Sequence, residues 1–344
     1  MNRKIFVQIP SNDPSGGVKV ANQLVNLFRE HDYESYVVLP NEIQQADWLI
    51  CPAPTINIYK MKKLCEKSSI VIDNWVDKNT ISESAKLKAN AKVFYAQGCT
   101  FPKSKYLMGD SFLKKDTPYT HFWAVSKDSL IYLKLKYQRV QNWYLVNPYF
   151  DLEFIEQNTS DIQRKDKIVC LSRKGKSYIQ MSQFLFDSKI KFEIINRKFT
   201  EKEFYQLCAS SKFFLSTAIG INNHCIKNFM KIFLNNFREK KYELITHVIP
   251  LGHKEGFPLP PTEAALCGSV VIGFAMGGGL EWMSPSTCFL AKDRSYFSLI
   301  KKIKEALSAS DEELDTMREN AFKAVSKFDK KRTWRQIKVF LKNI

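Results

Sequence analysis

The sequence predicts an α/β protein built from two doubly wound domains that face one another across a cleft. Three observations carry this expectation: a length of 344 residues, a strand-turn-helix alternation that restarts near residue 165, and glycine-containing turns placed where such sheets hold ligands. One hydrophobic core rarely grows beyond about 250–300 residues, so the length alone asks for two domains. Hydrophobic residues at 44% and charged residues at 25% are ordinary globular values, with no low-complexity tract or short repeat.

Residues 3–9 alternate in polarity and end at Pro10, which reads as a first strand. A polar loop with Ser15, Gly16 and Gly17 then opens an amphipathic helix carrying Val20, Leu24, Leu27 and Phe28 on one face. Short apolar runs at 35–39, 47–51, 69–73 and 92–96 alternate with helical stretches at 58–67 and 79–90, the rhythm of a parallel sheet. His121 to Val125 and residues 143–146 complete this first sheet. The chain turns polar between Gln157 and Lys167, so the domain boundary is expected between 150 and 165. The pattern resumes with a strand at 168–171, a helix at 177–187, a strand at 190–195, a helix at 201–209 and a strand at 213–217. A helix from about 260 and a strand at 270–274 follow. From Asp293 onward the chain is nearly all helical, with Asp311 and Glu312 placed to start a helix and Trp334, Ile337, Phe340 and Leu341 forming a buried stripe.

The eight cysteines are scattered and contain no Cys-x-x-Cys pair, which argues against zinc or redox chemistry and reads as buried thiols of a reducing cytoplasm. The amino-terminal apolar run is too short for a signal peptide, and no later run approaches the roughly 18 apolar residues of a spanning helix. Any membrane contact is expected to be peripheral. The net charge of +17 and pI of about 9.4 favour polyanionic partners such as nucleic acid, anionic lipid or phosphorylated substrates. A generally basic surface without such a partner explains the charge equally well. Residues 222–241 break the βα rhythm, because Ile226, Phe229, Met230, Phe233 and Phe237 share one helical face and the rest is basic. That helix packs on its own domain or meets a membrane surface or anionic acceptor.

The chemistry concentrates between Glu255 and Glu263. Prolines at 258, 260 and 261 keep Glu255 out of the helix that holds Glu263, and Pro261 suits a first helical turn that Gly268 ends. Glu255 is therefore expected in a loop and Glu263 in a first turn, at the carboxyl end of a parallel sheet where such sheets bind ligands. Carboxylates accept hydrogen bonds from sugar hydroxyls, and helix-end amides suit phosphates.

This segment resembles the GT-B glycosyltransferases of the large retaining family four, whose second domain carries two acidic residues separated by seven, a helix of small residues and a glycine turn. Two stretches carry the resemblance. One is 254–281, where Gly277, Gly278 and Gly279 follow the strand Val270 to Phe274, and the other is Pro14-Ser15-Gly16-Gly17-Val18. The resemblance implies two Rossmann-like domains, an acceptor domain over 1–155 and a nucleotide-sugar donor domain over 156–325 with a basic amphipathic insertion at about 220–245. A final helix over 326–344 would cross back to the first domain. By the same resemblance Glu263 would bind the donor ribose hydroxyls and Glu255 the transferred sugar, with Gly256, Phe257, Gly277 and Gly278 shaping the donor site. Gly16 and Gly17 would let the backbone approach the donor phosphate. Arg173 and Lys174 would neutralise the diphosphate in place of a metal, so no metal or cofactor is expected. Asp73, Gln97 and His121 are candidates for the acceptor side, each with a purely structural alternative.

The implied activity is retaining transfer of a hexose-like unit from a nucleoside diphosphate sugar to a glycan or lipid-linked acceptor, such as a surface-polysaccharide precursor, at the cytoplasmic face of a membrane. The leaving phosphate would assist deprotonation of the acceptor. Two alternatives stand beside it: a DNA or protein acceptor, and a catalytically silent sugar-nucleotide-binding protein. The sequence departs from the family pattern in two respects. About 38 residues separate the strand ending at Ser216 from Glu255, where relatives have only a few. No residue clearly matches the acceptor-side histidine seen in many of them.

Overall fold

The computed structural model describes residues 3–40, 45–74, 83–98, 117–136, 140–171, 191–195, 197–216, 256–292 and 296–344. Within the described residues two parallel sheets form, one in each half of the chain, with the strand order of doubly wound domains. The first contains β1 (Lys4–Gln8), β2 (Glu34–Leu39), β3 (Thr55–Asn57), β4 (Ile70–Asp73), β5 (Ala91–Ala96), β6 (His121–Ala124) and β7 (Trp143–Leu145), in the order β3-β2-β1-β4-β5-β6-β7. The second contains β8 (Lys165–Leu171), β9 (Lys191–Ile195), β10 (Ser211–Ser216), β11 (Val270–Gly273) and β12 (Phe289–Leu290), in the order β12-β11-β10-β8-β9. Strand order reverses beside β1 in the first sheet and beside β8 in the second. The crevices beyond these reversal points open toward one another.

Helix α1 (Gly16–Arg29) starts where Ser15 caps it, its hydroxyl accepting from the Val18 N–H at 3.3 Å, and it buries Val20, Leu24, Leu27 and Phe28 as the periodicity predicts. Helix α2 (Ile58–Leu64) follows β3. Two helices escape sequence reading. In α3 (Lys127–Lys136) the apolar residues are spread around the axis, with Ile131 and Leu135 exposed, so no single face stands out. In α4 (Leu152–Thr159) only Ile155 is buried, and the start is set by Asp151, whose carboxylate accepts from the Phe154 N–H at 3.3 Å.

The expected strand at 47–51 does not form. Its peptide groups are used elsewhere: the Glu201 N–H donates to the Trp48 carbonyl at 2.8 Å, and the Ile50 N–H donates to the Glu201 carboxylate at 3.1 Å. The described part of the expected helix at 79–90 is helical over 83–86 only, and the Asn90 N–H then turns back to the Ser69 carbonyl. Strand β8 begins three residues earlier than the apolar run suggests, at Lys165. The cysteine reading also needs correction, because Cys51 is exposed and Cys65 half-buried, whereas Cys170, Cys208, Cys267 and Cys288 are buried. Cys99, Cys225, the expected helix at 177–187 and the basic helix at 222–241 lie outside the described residues.

In the second half, α5 (Glu201–Ala209) carries a capping box between Thr200 and Glu203, and α6 (Leu259–Leu266) precedes β11. A 3₁₀ turn (Gly277–Glu281) follows β11, and α7 (Tyr296–Ser308), α8 (Asp311–Val325) and α9 (Lys330–Leu341) close the chain. Helix α9 packs on the first sheet. Phe340 meets Trp123 edge-on at 5.1 Å, Trp334 stacks on His31 at 3.7 Å, and Gln336 exchanges hydrogen bonds with Asn147 at 2.7 and 2.8 Å. No helix among the described residues is long and apolar enough to cross a membrane.

Candidate functional site

The Gly256 turn shows why glycine stands there. A Cβ at Gly256 would lie 2.2 Å from the Gln97 carbonyl oxygen and 2.6 Å from Val125, so the second domain presses its backbone directly onto the carboxyl ends of β5 and β6. The Gly278 N–H donates to the Gly256 carbonyl at 2.6 Å, and a Cβ at Gly278 would strike the Phe257 ring at 2.2 Å. Gly277 supplies the left-handed backbone, at φ 54°, that starts the turn. Phe257 is buried between Phe328, edge-on at 5.0 Å, and Phe150 at 6.2 Å. The structure thus brings Gly256, Phe257, Gly277 and Gly278 together, as the sequence suggests, through packing that only glycine backbones permit.

Helix α6 begins with Leu259, so Pro260 and Pro261 occupy its first turn and Glu263 falls in the second turn rather than the first. Prolines cost nothing here because first-turn N–H groups lack helical partners. Gly268, at φ 81°, follows the last turn. Across the domain boundary, a Cβ at Gly16 would lie 3.1 Å from the Leu259 side chain, and Gly17 offers its carbonyl to the Asn74 side-chain amide at 2.6 Å. At the start of α1, Gly16 therefore sits against the start of α6 and Gly17 against Asn74.

Glu263 is buried and bonded to a residue that sequence reading missed, Lys19 of α1. The Lys19 ammonium pairs with both Glu263 and Glu201, donates to the Tyr205 hydroxyl at 2.6 Å, and lies 4.9 Å from the Tyr205 ring centroid. Burial opposes the Lys19 charge, but Glu263 and Glu201 outweigh it and hold this amine above the ordinary lysine range. Burial also opposes ionisation of Glu201, yet Lys19 together with the Ile50 N–H keeps its carboxyl below the usual range. For Glu263 burial prevails over Lys19 and raises the carboxyl. Among the described residues, the hydrogen bonds to Glu263 all go to Oε1, which leaves Oε2 to accept from a ligand hydroxyl. The one sequence signal for Lys19 is a basic residue at the start of the first helix, which is indistinguishable from a solvated charge.

Asp73 is fully buried and accepts from Gln8 Nε2 at 2.5 Å, Ser84 Oγ at 2.6 Å and the Tyr119 hydroxyl. Burial raises its carboxyl to about 6. This is a structural knot under the sheet end and not a group facing the acceptor side. Its neighbour Asn74 is the residue that reaches the crevice, linking the Gly17 carbonyl to the Gln97 amide. His121 begins β6 and so lies at its amino end, away from these loops. Its ring meets Phe340 edge-on at 5.2 Å, and burial lowers its pKa. The crevice gathers Gly16, Gly17, Gln97, Gly256 and Glu263, and leaves His121 aside. Glu255, Arg173 and Lys174 lie outside the described residues.

A cleft of about 590 Å³ opens beside this cluster, between Pro10 to Pro14 after β1, Trp48, and Lys198, Phe199 and Thr200 ahead of α5. Glu263 does not line it; the first turn of α5 stands between them, with Glu201 turned to Lys19 and Glu203 to the cleft. Among the described residues no group of three or more His, Cys, Asp or Glu side chains is arranged to hold a metal ion.

No protein-family model matches the sequence, and no curated protein matches it. Solved structures do match its fold. Anabaena HepE in complex with UDP-glucose is 15% identical and superposes with a TM-score of 0.67, covering 99% of this chain and 100% of that one. The pneumococcal O-GlcNAc transferase GtfA in complex with UDP and GlcNAc is 11% identical, with a TM-score of 0.66 and 99% of each chain covered. A glycosyltransferase from Rickettsia africae is 13% identical, with a TM-score of 0.67 over 99% of this chain and 98% of its own. Identities this low speak to architecture alone. The two parallel sheets, their reversal points and the facing crevices are those of the two-domain GT-B glycosyltransferase fold.

Proposed function

We propose that this chain is a glycosyltransferase that takes a nucleoside diphosphate sugar as donor, retains the anomeric configuration in the manner of family four, and needs no metal. The observation that carries the reading is Glu263, a buried carboxylate on α6 with Oε2 left to accept a ligand hydroxyl, facing the glycine turn at the start of α1. A ribose diol is a matching partner for that oxygen, and the first N–H groups of α1 suit a diphosphate. The cleft of about 590 Å³ lies on the other side of the first turn of α5 and is not the space that Glu263 faces. Glu255 would contact the transferred sugar, and Arg173 and Lys174 would balance the leaving diphosphate. The acceptor in this reading is a glycan or lipid-linked precursor at the cytoplasmic face of a membrane.

HepE with UDP-glucose and GtfA with UDP make uridine diphosphate sugars the first donors to try. The test is release of nucleoside diphosphate from a panel of sugar nucleotides, with acceptors varied. Glu263→Ala is expected to lower kcat/KM at least about tenfold, or about 1.4 kcal/mol, and unchanged turnover would remove Glu263 from the donor site. The net charge of +17 favours one further reading, a nucleic acid acceptor, which predicts DNA affinity that falls steeply with salt and sugar attached to bases.

A further inference from the structure

Lys19 is the point at which the first domain takes hold of the second. It stands on the first turn of α1, two residues past Gly17, and its ammonium is buried among Glu263 of α6 and Glu201 and Tyr205 of α5. A buried carboxylate is costly unless an opposite charge accompanies it, and here the second domain supplies two carboxylates while the first supplies the cation. The pairing is one-sided on Glu263. Lys19 and Tyr205 both address Oε1, at the ammonium's contact and at 3.5 Å, so they fix the plane of the carboxylate and leave Oε2 clear of protein donors among the described residues.

We propose that Lys19 is a positioning residue for the donor: it holds Glu263 ionised and oriented so that Oε2 receives the ribose hydroxyls, and it does so only when the two domains are closed on one another. This rests on the donor site proposed above. It adds a reason for the closed arrangement: the carboxylate that reads the nucleoside is completed by a residue of the opposite domain. Among the described residues, the groups facing Glu263 are Lys19 on α1, Glu201, Tyr205 and Cys208 on α5, and Cys267 at the end of its own helix. Burial keeps the phenol and both thiols neutral, so Lys19 is the cation that opposes protonation of Glu263 and Glu201 the anion that favours it.

The experiment is calorimetric titration of UDP and UDP-glucose into the full chain between pH 5.5 and pH 8.5. Three proteins are compared: wild type, Lys19→Arg, and the double variant Lys19→Met with Glu201→Gln. The double variant removes one cation and one anion and so keeps the net charge of the cluster, which protects folding. Wild-type affinity should weaken as the pH falls into the raised range of Glu263. In the double variant the same weakening should begin at higher pH, because Lys19 opposes protonation of Glu263 by charge and hydrogen bond while Glu201 favours it by charge alone, with affinity at pH 6 at least about threefold lower and largely regained at high pH. Lys19→Arg should restore most of the wild-type profile. A double variant that melts earlier yet binds both ligands as wild type does at every pH overturns the proposal, because Lys19 would then serve folding alone. Wild type that binds neither UDP, UDP-glucose nor any nucleotide of the panel overturns the donor-site reading and this inference with it. A loss confined to the variant overturns neither and is the expected result.

Discussion

Asp73 and Glu263 are both carboxylates withdrawn from water near the end of a parallel sheet, yet they are stabilised by opposite means. Asp73 is held by neutral donors of its own domain, the Gln8 amide and the Ser84 and Tyr119 hydroxyls. Glu263 is held by an ammonium that arrives from the other domain. Neutral donors relieve part of the desolvation cost and leave Asp73 titrating at about 6, which suits a group that ties β1, β4 and the following segment together. A cation opposes it through its charge, but only while the domains touch. The first arrangement is a property of one fold unit; the second makes a carboxylate depend on how two units meet.

The largest expected effect is on the Asp73 side. Asp73→Ala removes three buried hydrogen bonds, with the Gln8 amide keeping Ser84 Oγ at 2.8 Å, and should cost about 3–5 kcal/mol in denaturant unfolding of the first domain; a loss below about 1 kcal/mol would mean water replaces the carboxylate. Next comes pH. The Asp73 carboxyl is raised from 3.8 to about 6, so the folded protein holds this proton more tightly than the unfolded chain. Its contribution is fully present below about pH 4 and is lost as the pH rises through 6, a decrease approaching about 3 kcal/mol. Asp73→Asn should flatten that part of the stability profile, and a variant with the same slope as wild type would place the titration elsewhere.

Gly256→Ala tests the meeting of the domains without touching a charge. The obstructing atom is the Gln97 backbone carbonyl, at 2.2 Å from the added Cβ, so the turn must retreat, at a cost of about 1–3 kcal/mol. Small-angle scattering should show a more open molecule, whereas an unchanged profile with unchanged stability would mean that the contact yields freely. The smallest effect is expected at His121, whose ring only packs and bonds locally: His121→Gln should shift stability by under about 1 kcal/mol and leave turnover as in wild type. A large loss of turnover with retained stability would return His121 to the site.

Much of the fold was legible because it rests on local patterns. The Ser15 cap and the spacing of Val20, Leu24, Leu27 and Phe28 define α1, and the apolar runs at 70–72 and 270–273 are what strands buried on both faces require. The segment 47–51 misled because its peptide groups bind Glu201 of the other domain, a tertiary outcome with a strand's composition. Helix α3 was missed for the converse reason, since Ile131 and Leu135 face solvent and blur its period.

The candidate site divides in the same way. Sequence alone singled out the glycines at 16, 17, 256, 277 and 278, and it determined the prolines that start α6 and the presence of Glu263 in that helix, because proline acts on the backbone over a few residues. Only the tertiary structure decided that Asp73 is a structural knot, that His121 lies at the wrong end of its strand, and that Lys19 is the partner of Glu263. The positions of Lys19 and Glu263 are 244 apart in the chain, and no local pattern records a buried charge whose compensating partner lies in another domain.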